Sequence, residues 1–314
     1  VTGLRYDQNG TSYEIQAERE VILAGGAINS PQLLMLSGIG PADHLRDMGI
    51  ELRVNLPGVG QNLQDHATSV LQWDCKKNFP IHNVGNPLKK LAVGMRWLAR
   101  QDGLAASNIW EAGGLIRSNE QVEYPNLQYH FSPVGFDLGG DKIKVKQAFA
   151  VHIDQLRPKS RGQVLLNRDN IKGKPLIQFN YLEHPDDMRE MLEGVKKARE
   201  LFSQPVFDEF RGNETTPGSH IQTDEELVKS IRQITETDYH PCGTCRMGYD
   251  RMAVVDSELR VHGVEGLRVV DASVMPKVTS ANLNAPTQMI AARAADYILG
   301  KQQMSPLHAR FSFQ

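Results

Sequence analysis

Three short stretches hold the residues best suited to chemistry. Tyr239-His240-Pro241-Cys242-Gly243-Thr244-Cys245-Arg246-Met247-Gly248 carries an imidazole in a loop that Pro241 stiffens and Gly243 and Gly248 allow to turn sharply. An imidazole with an ordinary pKa of about 6.5 can accept or donate a proton near neutral pH. His240 is therefore a candidate acid–base group; the competing reading is a buried histidine that serves only the fold. Ser280-Ala281-Asn282-Leu283-Asn284-Ala285-Pro286-Thr287 sets two amides at the start of a predicted helix, where several backbone N–H groups have no intrahelical acceptor. Such an end favours negative charge, although Asn282 and Asn284 could simply cap the helix. Ala24-Gly25-Gly26 ends an apolar strand and precedes another helix. Glycines there let the backbone approach an anion closely, but any tight strand-to-helix turn could carry them.

Cys242 and Cys245 have the spacing of a redox or metal site. A zinc site needs further ligands, and only His240 lies nearby. A c-type haem motif places its histidine after the second cysteine, whereas His240 precedes the first. A thioredoxin-like site needs a following helix, and residues 243–250 show no helical periodicity. The pair reads as two thiols in a tight loop, and no metal is expected. With Cys75 they make three cysteines, too few for a disulfide framework and suited to a reducing compartment. A net charge of -2 supplies no basic face for nucleic acid. No apolar run reaches the roughly 20 residues of a membrane span. The expected location is cytoplasmic, with peripheral attachment to a membrane left open.

These residues need elements to position them, and 314 residues with 40% hydrophobic content can build a sizeable core. Leu4–Tyr6 and Thr11–Ile15 flank Asn9-Gly10 as a hairpin. Glu20–Ala24 reads as a buried parallel strand and Ser30-Pro31 as the N-cap and first residue of the helix after it. Helices are predicted over 41–48, 88–100 (with Leu91, Met95, Trp97 and Leu98) and 185–202, and Thr223 with Glu226 forms a capping box. Leu127–Phe131, Ala148–Ile153 and Gln163–Leu166 read as strands of one antiparallel sheet. Leu267–Val270 is a short strand leading to Asp271-Ala272. The last helix follows Pro286, with Met289, Ile290, Ala294 and Ile298 as its inner stripe and Gly300 as its stop. The fold class is thus α/β at both ends enclosing an α+β insertion.

Together the motifs resemble one family. Gly26-Ala-Ile-Asn-Ser-Pro-Gln-Leu-Leu-Met-Leu-Ser-Gly-Ile-Gly40 matches a signature of the glucose–methanol–choline (GMC) oxidoreductases at every defined position. Leu56–His66, the loop 240–248, Val269–Ala272 and Asn282–Thr287 are similar to further motifs of that family, in the right order. The resemblance implies the C-terminal part of an FAD-binding domain (1–66 and 238–303), an inserted substrate-binding domain (67–237) and a poorly ordered tail (304–314). It further implies His240 and Asn282 as the catalytic pair, converging on the flavin from distant points of the chain. Ala24, Gly25, Asp271, Ala272, Asn284 and Thr287 would meet FAD, Asp271 accepting from a ribityl hydroxyl.

Ser107–Gly114, Gln128–Phe131, Ser160–Val164 and Asp256–Val264 resemble the choline-oxidising branch. That branch implies oxidation of choline to betaine aldehyde, in glycine betaine biosynthesis and osmoprotection. Glu111, Trp110 and His130 would then receive the substrate. A trimethylammonium donates no N–H hydrogen bond, so a carboxylate and aromatic faces must hold it; Tyr129 and Phe131 are further candidate faces. Another primary alcohol, an oxidase rather than a dehydrogenase, or a non-catalytic binding module are the alternatives. The electron acceptor and any homo-oligomer are left open.

The family's Gly-x-Gly-x-x-Gly dinucleotide fingerprint does not occur in these residues, and Val1 opens within predicted sheet. The expectation is a C-terminal portion whose partner is the missing N-terminal FAD-binding segment, inactive alone. The purified 314-residue chain should accordingly bind FAD weakly or not at all; flavin bands stoichiometric with protein would contradict this.

Overall fold

The computed structural model describes residues 1–137 and 144–305. The first elements are β1 (Gly3–Gln8), β2 (Thr11–Gln16), β3 (Val21–Leu23), α1 (Gly26–Leu36) and α2 (Ala42–Asp47). Then come β4 (Ala67–Cys75), α3 (Pro87–Arg100), β5 (Ala112–Ile116), β6 (Leu127–Ser132) and β7 (Ala148–Gln155). After them run β8 (Gln163–Leu165), β9 (Leu176–Gln178), α4 (Pro185–Ser203), β10 (Arg211–Thr216) and α5 (Asp224–Ile234). The last are β11 (Glu236–Thr237), β12 (Leu267–Val269) and α6 (Asn284–Ile298). Two compact units result: Val1–Gln64, Gly162–Phe179 and Pro241–Gln314 form the first, Asp65–Arg161 and Asn180–His240 the second. His240 thus falls in the second unit and 162–179 in the first. The expected tail lies outside the described residues from 306 onward.

In the first unit β1 and β2 pair antiparallel across Asn9 and Gly10, whose φ values of 51° and 78° make the primed turn that hairpins favour. Strand β3 is parallel, as expected, and pairs with β12, Leu23 opposite Val269. It is not buried on both faces, however: Ile22 is 43% exposed, because this sheet has only two strands among the described residues. Helix α1 starts at Gly26, four residues before the expected N-cap, and Pro31 sits inside it. Proline cannot bond back to the carbonyl four residues earlier, and the Thr244 hydroxyl donates to that carbonyl, Ala27 O, at 2.6 Å. Strand β8 pairs with β9 in a separate hairpin and does not join the large sheet, correcting the sequence reading. Along α6, Ala294 is buried but Met289 is 61% exposed, so the inner stripe is narrower than expected. Leu34, Met35, Leu45, Val254, Val269 and Val274 centre this unit's core.

The second unit is built on an antiparallel sheet in the order β10-β4-β7-β6-β5, with β11 also paired to β4. Strand side chains alternate between faces, and here the two faces differ in kind. Leu71 and Trp73 on β4, Val151 and Ile153 on β7, and Leu127 and Tyr129 on β6 pack with Met191, Val195 and Phe202 of α4 and Leu227 and Ile231 of α5. Gly194 fits α4 onto this face, since a Cβ there would come within 2.8 Å of Leu127 Cδ1 and 2.9 Å of Ile153 Cγ2. The capping box of Thr223 and Glu226 starts α5 as expected. The opposite face carries Thr68 on β4, Gln128 and His130 on β6, and His152 and Asp154 on β7, with His152 directly across from His130.

Met191 is fully buried in this cluster. Met191→Ala should lower stability by about 2–5 kcal/mol, the usual cost of such a truncation. Urea unfolding followed by tryptophan fluorescence measures it, because Trp73, Trp97 and Trp110 all lie in the second unit; a change below about 1 kcal/mol would show that α4 does not anchor the sheet.

Candidate active site

His240 closes the second unit at the polar side of the sheet. Tyr239 takes a left-handed φ of 61° and turns outward, 82% exposed, so that the next side chain turns in. The His240 N–H donates to Asp65 Oδ1 at 2.9 Å. Tyr181 and Thr237 hydroxyls each donate to Asp65 Oδ2 at 2.5 Å. Burial pushes the Asp65 carboxyl above the usual aspartate value, and those three donors oppose the rise. His240 Nδ1 lies 3.0 Å from Asp238 Oδ2 and 3.0 Å from His66 Nδ1, and the two rings meet edge to face.

The array continues across the sheet. His130 Nε2 is 3.1 Å from Asp154 Oδ2 and 2.9 Å from Gln128 Nε2. Donor atoms of His130, Asp154 and Asp238 all lie within 4.8 Å of one another, as do those of His66, Asp238 and His240. Burial lowers the pKa of His130 and lowers that of His152 to about 4, so both rings are neutral near pH 7. Asp154 is fully buried, and its Oδ2 faces His130 Nε2 at 3.1 Å without meeting full hydrogen-bond geometry. Burial first and the charge of Asp238 second raise its pKa well above the usual range. The Trp110 ring stands edge to face on His152 at 4.6 Å and on His130 at 5.9 Å. Trp110, Glu111, Gln128 and His130 help line an open cleft of about 320 Å³, with Glu111 exposed at its edge.

In the first unit the pairing of β3 with β12 brings Ala24-Gly25 beside Asp271-Ala272, with Val270 N–H donating to Leu23 O at 2.8 Å. Asp271 Oδ2 accepts from the Gly26 N–H at 2.9 Å and the Ser30 hydroxyl at 2.6 Å, and Oδ1 from the Ser273 N–H at 2.8 Å. Its carboxylate therefore ties both turns together. Gly26 has φ 77° and open space where a Cβ would stand, so the backbone can be approached closely there. Leu283, at the start of α6, packs with Cys242, Met275 and Val278, and Ala272 lies against that cluster. Neither Asn282 nor Asn284 caps α6, whose N-cap is Leu283. Asn284 Oδ1 accepts from Gln288 Nε2 at 2.5 Å, and the Thr287 hydroxyl donates to Leu283 O at 2.7 Å. Helices α1 and α6 both begin without a side-chain cap and without an acidic residue in the first turn. These features fit an anionic or electron-rich group. Cys242 and Cys245 are buried and form no disulfide, and burial raises the Cys245 pKa far above the thiol norm, which makes it a poor nucleophile.

Trp110, His130 and His240, chosen from separated stretches of sequence, thus share one array. Ala24, Gly25, Asp271 and Ala272 share another, with the start of α6 beside it. Asn282 belongs to the first unit and His240 to the second. Tyr129 and Phe131 correct the sequence reading, for alternation along β6 turns them to the apolar face, where the Tyr129 hydroxyl donates to Gly194 O at 2.6 Å. Asp65, His66, Asp238, His152 and Asp154 also belong to the array, and none of them is a candidate on sequence grounds. Asp65-His66 ended a motif already quoted, and Asp238 lay two residues before His240. His152 and Asp154 alternate with apolar neighbours on β7, the pattern of a strand with one polar face.

GMC oxidoreductase family models match residues 1–68 and 158–291. The chain belongs to the GMC oxidoreductase family. It is 46% identical over 305 residues to an oxygen-dependent choline dehydrogenase of Brucella ovis, covering 96% of this chain and 56% of that protein. It is 45% identical over 314 residues to one of Staphylococcus saprophyticus, covering 99% of this chain and 56% of that protein. A substituted formate oxidase of Aspergillus oryzae superposes with a TM-score of 0.87 at 27% identity, covering 95% of this chain and 57% of that one. The chain therefore spans little more than half the length of these proteins.

Because its folded-state pKa is raised, Asp154 stabilises the fold least when ionised. Its contribution is present at low pH and is lost as pH rises from the ordinary aspartate range through the raised value. Asp154→Asn should therefore stabilise the protein at about pH 7.5 and by clearly less at about pH 4.5, as urea midpoints at the two pH values would report. An equal effect at both would show that Asp154 is ionised throughout.

Proposed function

We propose that this chain is the alcohol-handling portion of an FAD-dependent enzyme that oxidises choline to betaine aldehyde, a step toward glycine betaine. One observation carries the reading: a buried carboxylate, Asp65, anchors the His240 backbone while Trp110 and His130 join the same array. Family membership and the relatives' names support it. The strand-end turn at Ala24–Gly26 and Asp271–Ala272, with the uncapped starts of α1 and α6, fits FAD. Bound FAD would supply the hydride acceptor. The chain covers 56% of the Brucella ovis protein, so in the proposed whole enzyme further residues would share the FAD cradle.

The chain's own residues do the rest. His240 accepts the hydroxyl proton, since an alkoxide donates hydride far better than an alcohol. Asn282 offers its amide to the substrate oxygen. Trp110 presents an aromatic face to the trimethylammonium, and Glu111 supplies the opposing charge at the cleft edge. Neutral His130 lines the same cleft without repelling a cation. The relatives' names make molecular oxygen the first electron acceptor to test, by hydrogen peroxide yield per choline consumed.

In the whole FAD-loaded protein, His240→Ala should lower choline turnover by about 10²-fold or more, the range for lost acid–base help. Unchanged turnover would remove His240 from the chemistry. Glu111→Gln should raise KM for choline more than for a neutral alcohol of similar size; equal losses would remove the charge argument.

A further inference from the structure

We propose that Asp238 is a positioning residue that holds His240 as its Nδ1–H tautomer and so puts the proton-accepting lone pair on Nε2. This deepens the reading of His240 as the base in alcohol oxidation and rests on it. Asp238 Oδ2 and His66 Nδ1 each lie 3.0 Å from Nδ1 of His240. One ring nitrogen holds at most one proton. Were Nδ1 bare, a proton from His66 could satisfy one contact, but the other would set a lone pair against a carboxylate. With Nδ1 protonated, its one proton is donated to the carboxylate, and an unprotonated His66 Nδ1 can share it only as a weaker second acceptor. The carboxylate is the stronger acceptor and forms a charge-assisted bond.

The frame around the pair is fixed. The Asp238 N–H donates to His66 O at 3.0 Å, and the His240 N–H is held by Asp65. The Asp238 and His240 side chains are 20% and 13% exposed, so little water competes for the contact. When His240 takes the substrate proton at Nε2, the same carboxylate stabilises the imidazolium that forms. Asp238 also lies within 4.8 Å of the donor atoms of His130 and Asp154, so the carboxylate joins His240 to the rest of the polar array.

The tautomer is read directly by imidazole ¹⁵N–¹H correlation spectra of the FAD-loaded whole protein labelled at histidine, with the His240 signals assigned by their loss in His240→Gln. The proposal expects a protonated Nδ1 and a bare Nε2. In Asp238→Asn an amide N–H can face Nδ1 instead, so the proton should move to Nε2 and kcat should fall by about 10²–10⁴-fold. Asp238→Glu should restore the Nδ1–H signal and part of kcat. A bare Nδ1 in the unsubstituted protein, or an unchanged tautomer and kcat in Asp238→Asn, would overturn the assignment. Turnover retained in His240→Gln would instead sink the reading of His240 as the base, whatever the spectrum shows, and with it the catalytic part of this proposal.

Discussion

A carboxylate removed from water needs hydrogen-bond donors in its place, or it costs several kcal/mol or gives up its charge. Asp65 meets that demand with Tyr181, Thr237 and the His240 N–H, drawn from three places in the second unit. Its requirement for donors is what gathers the start of β4, the loop before α4 and the end of β11 around one imidazole. Without it, His240 would sit on a surface turn whose preceding residue, Tyr239, is already exposed.

The first unit applies the same physics to a different end. Asp271 takes three donors from the turns after β3 and β12, so its carboxylate sets the shape of the glycine turn. Thr244 occupies the carbonyl that Pro31 leaves without a helical partner, so the loop carrying Cys242 and Cys245 is pinned to α1. The thiols are filling in that joint, consistent with their burial. In both units charged groups organise backbone, and the aliphatic cores supply the adhesion.

Much of this was legible in the sequence. The Asn9-Gly10 hairpin, α4, the capping box of α5 and the strand that leads into the glycine turn all follow from local rules, because turn chemistry and periodicity act over a few residues. The misreadings have non-local causes. Ser30 looked like an N-cap, but its hydroxyl is engaged by Asp271, 241 residues away in sequence. Gln163–Leu165 has strand character, yet nothing local says which sheet takes it. Tyr129 and Phe131 looked like ligand-facing aromatics until register assigned them to the covered side of the sheet. Of the candidate site, the residues whose type and setting mark them singly, His240, Trp110 and the glycines, were legible, while Asp65, Asp154 and Asp238 were not, because their contacts exist only once strands pair.

The alternation along β4, β6 and β7 gives this unit one apolar face and one polar face, and the buried acid at position 65 fixes where on the second face His240, the proposed base, stands. The most direct measurement is the anaerobic rate at which choline bleaches the flavin in the whole protein, compared between the unsubstituted enzyme and Asp65→Ala, with FAD content and tryptophan fluorescence confirming the fold. Loss of the anchor should slow bleaching by about 10²-fold, on the scale of losing acid–base help altogether. Bleaching at an unaltered rate in a folded, flavin-loaded variant would contradict the account.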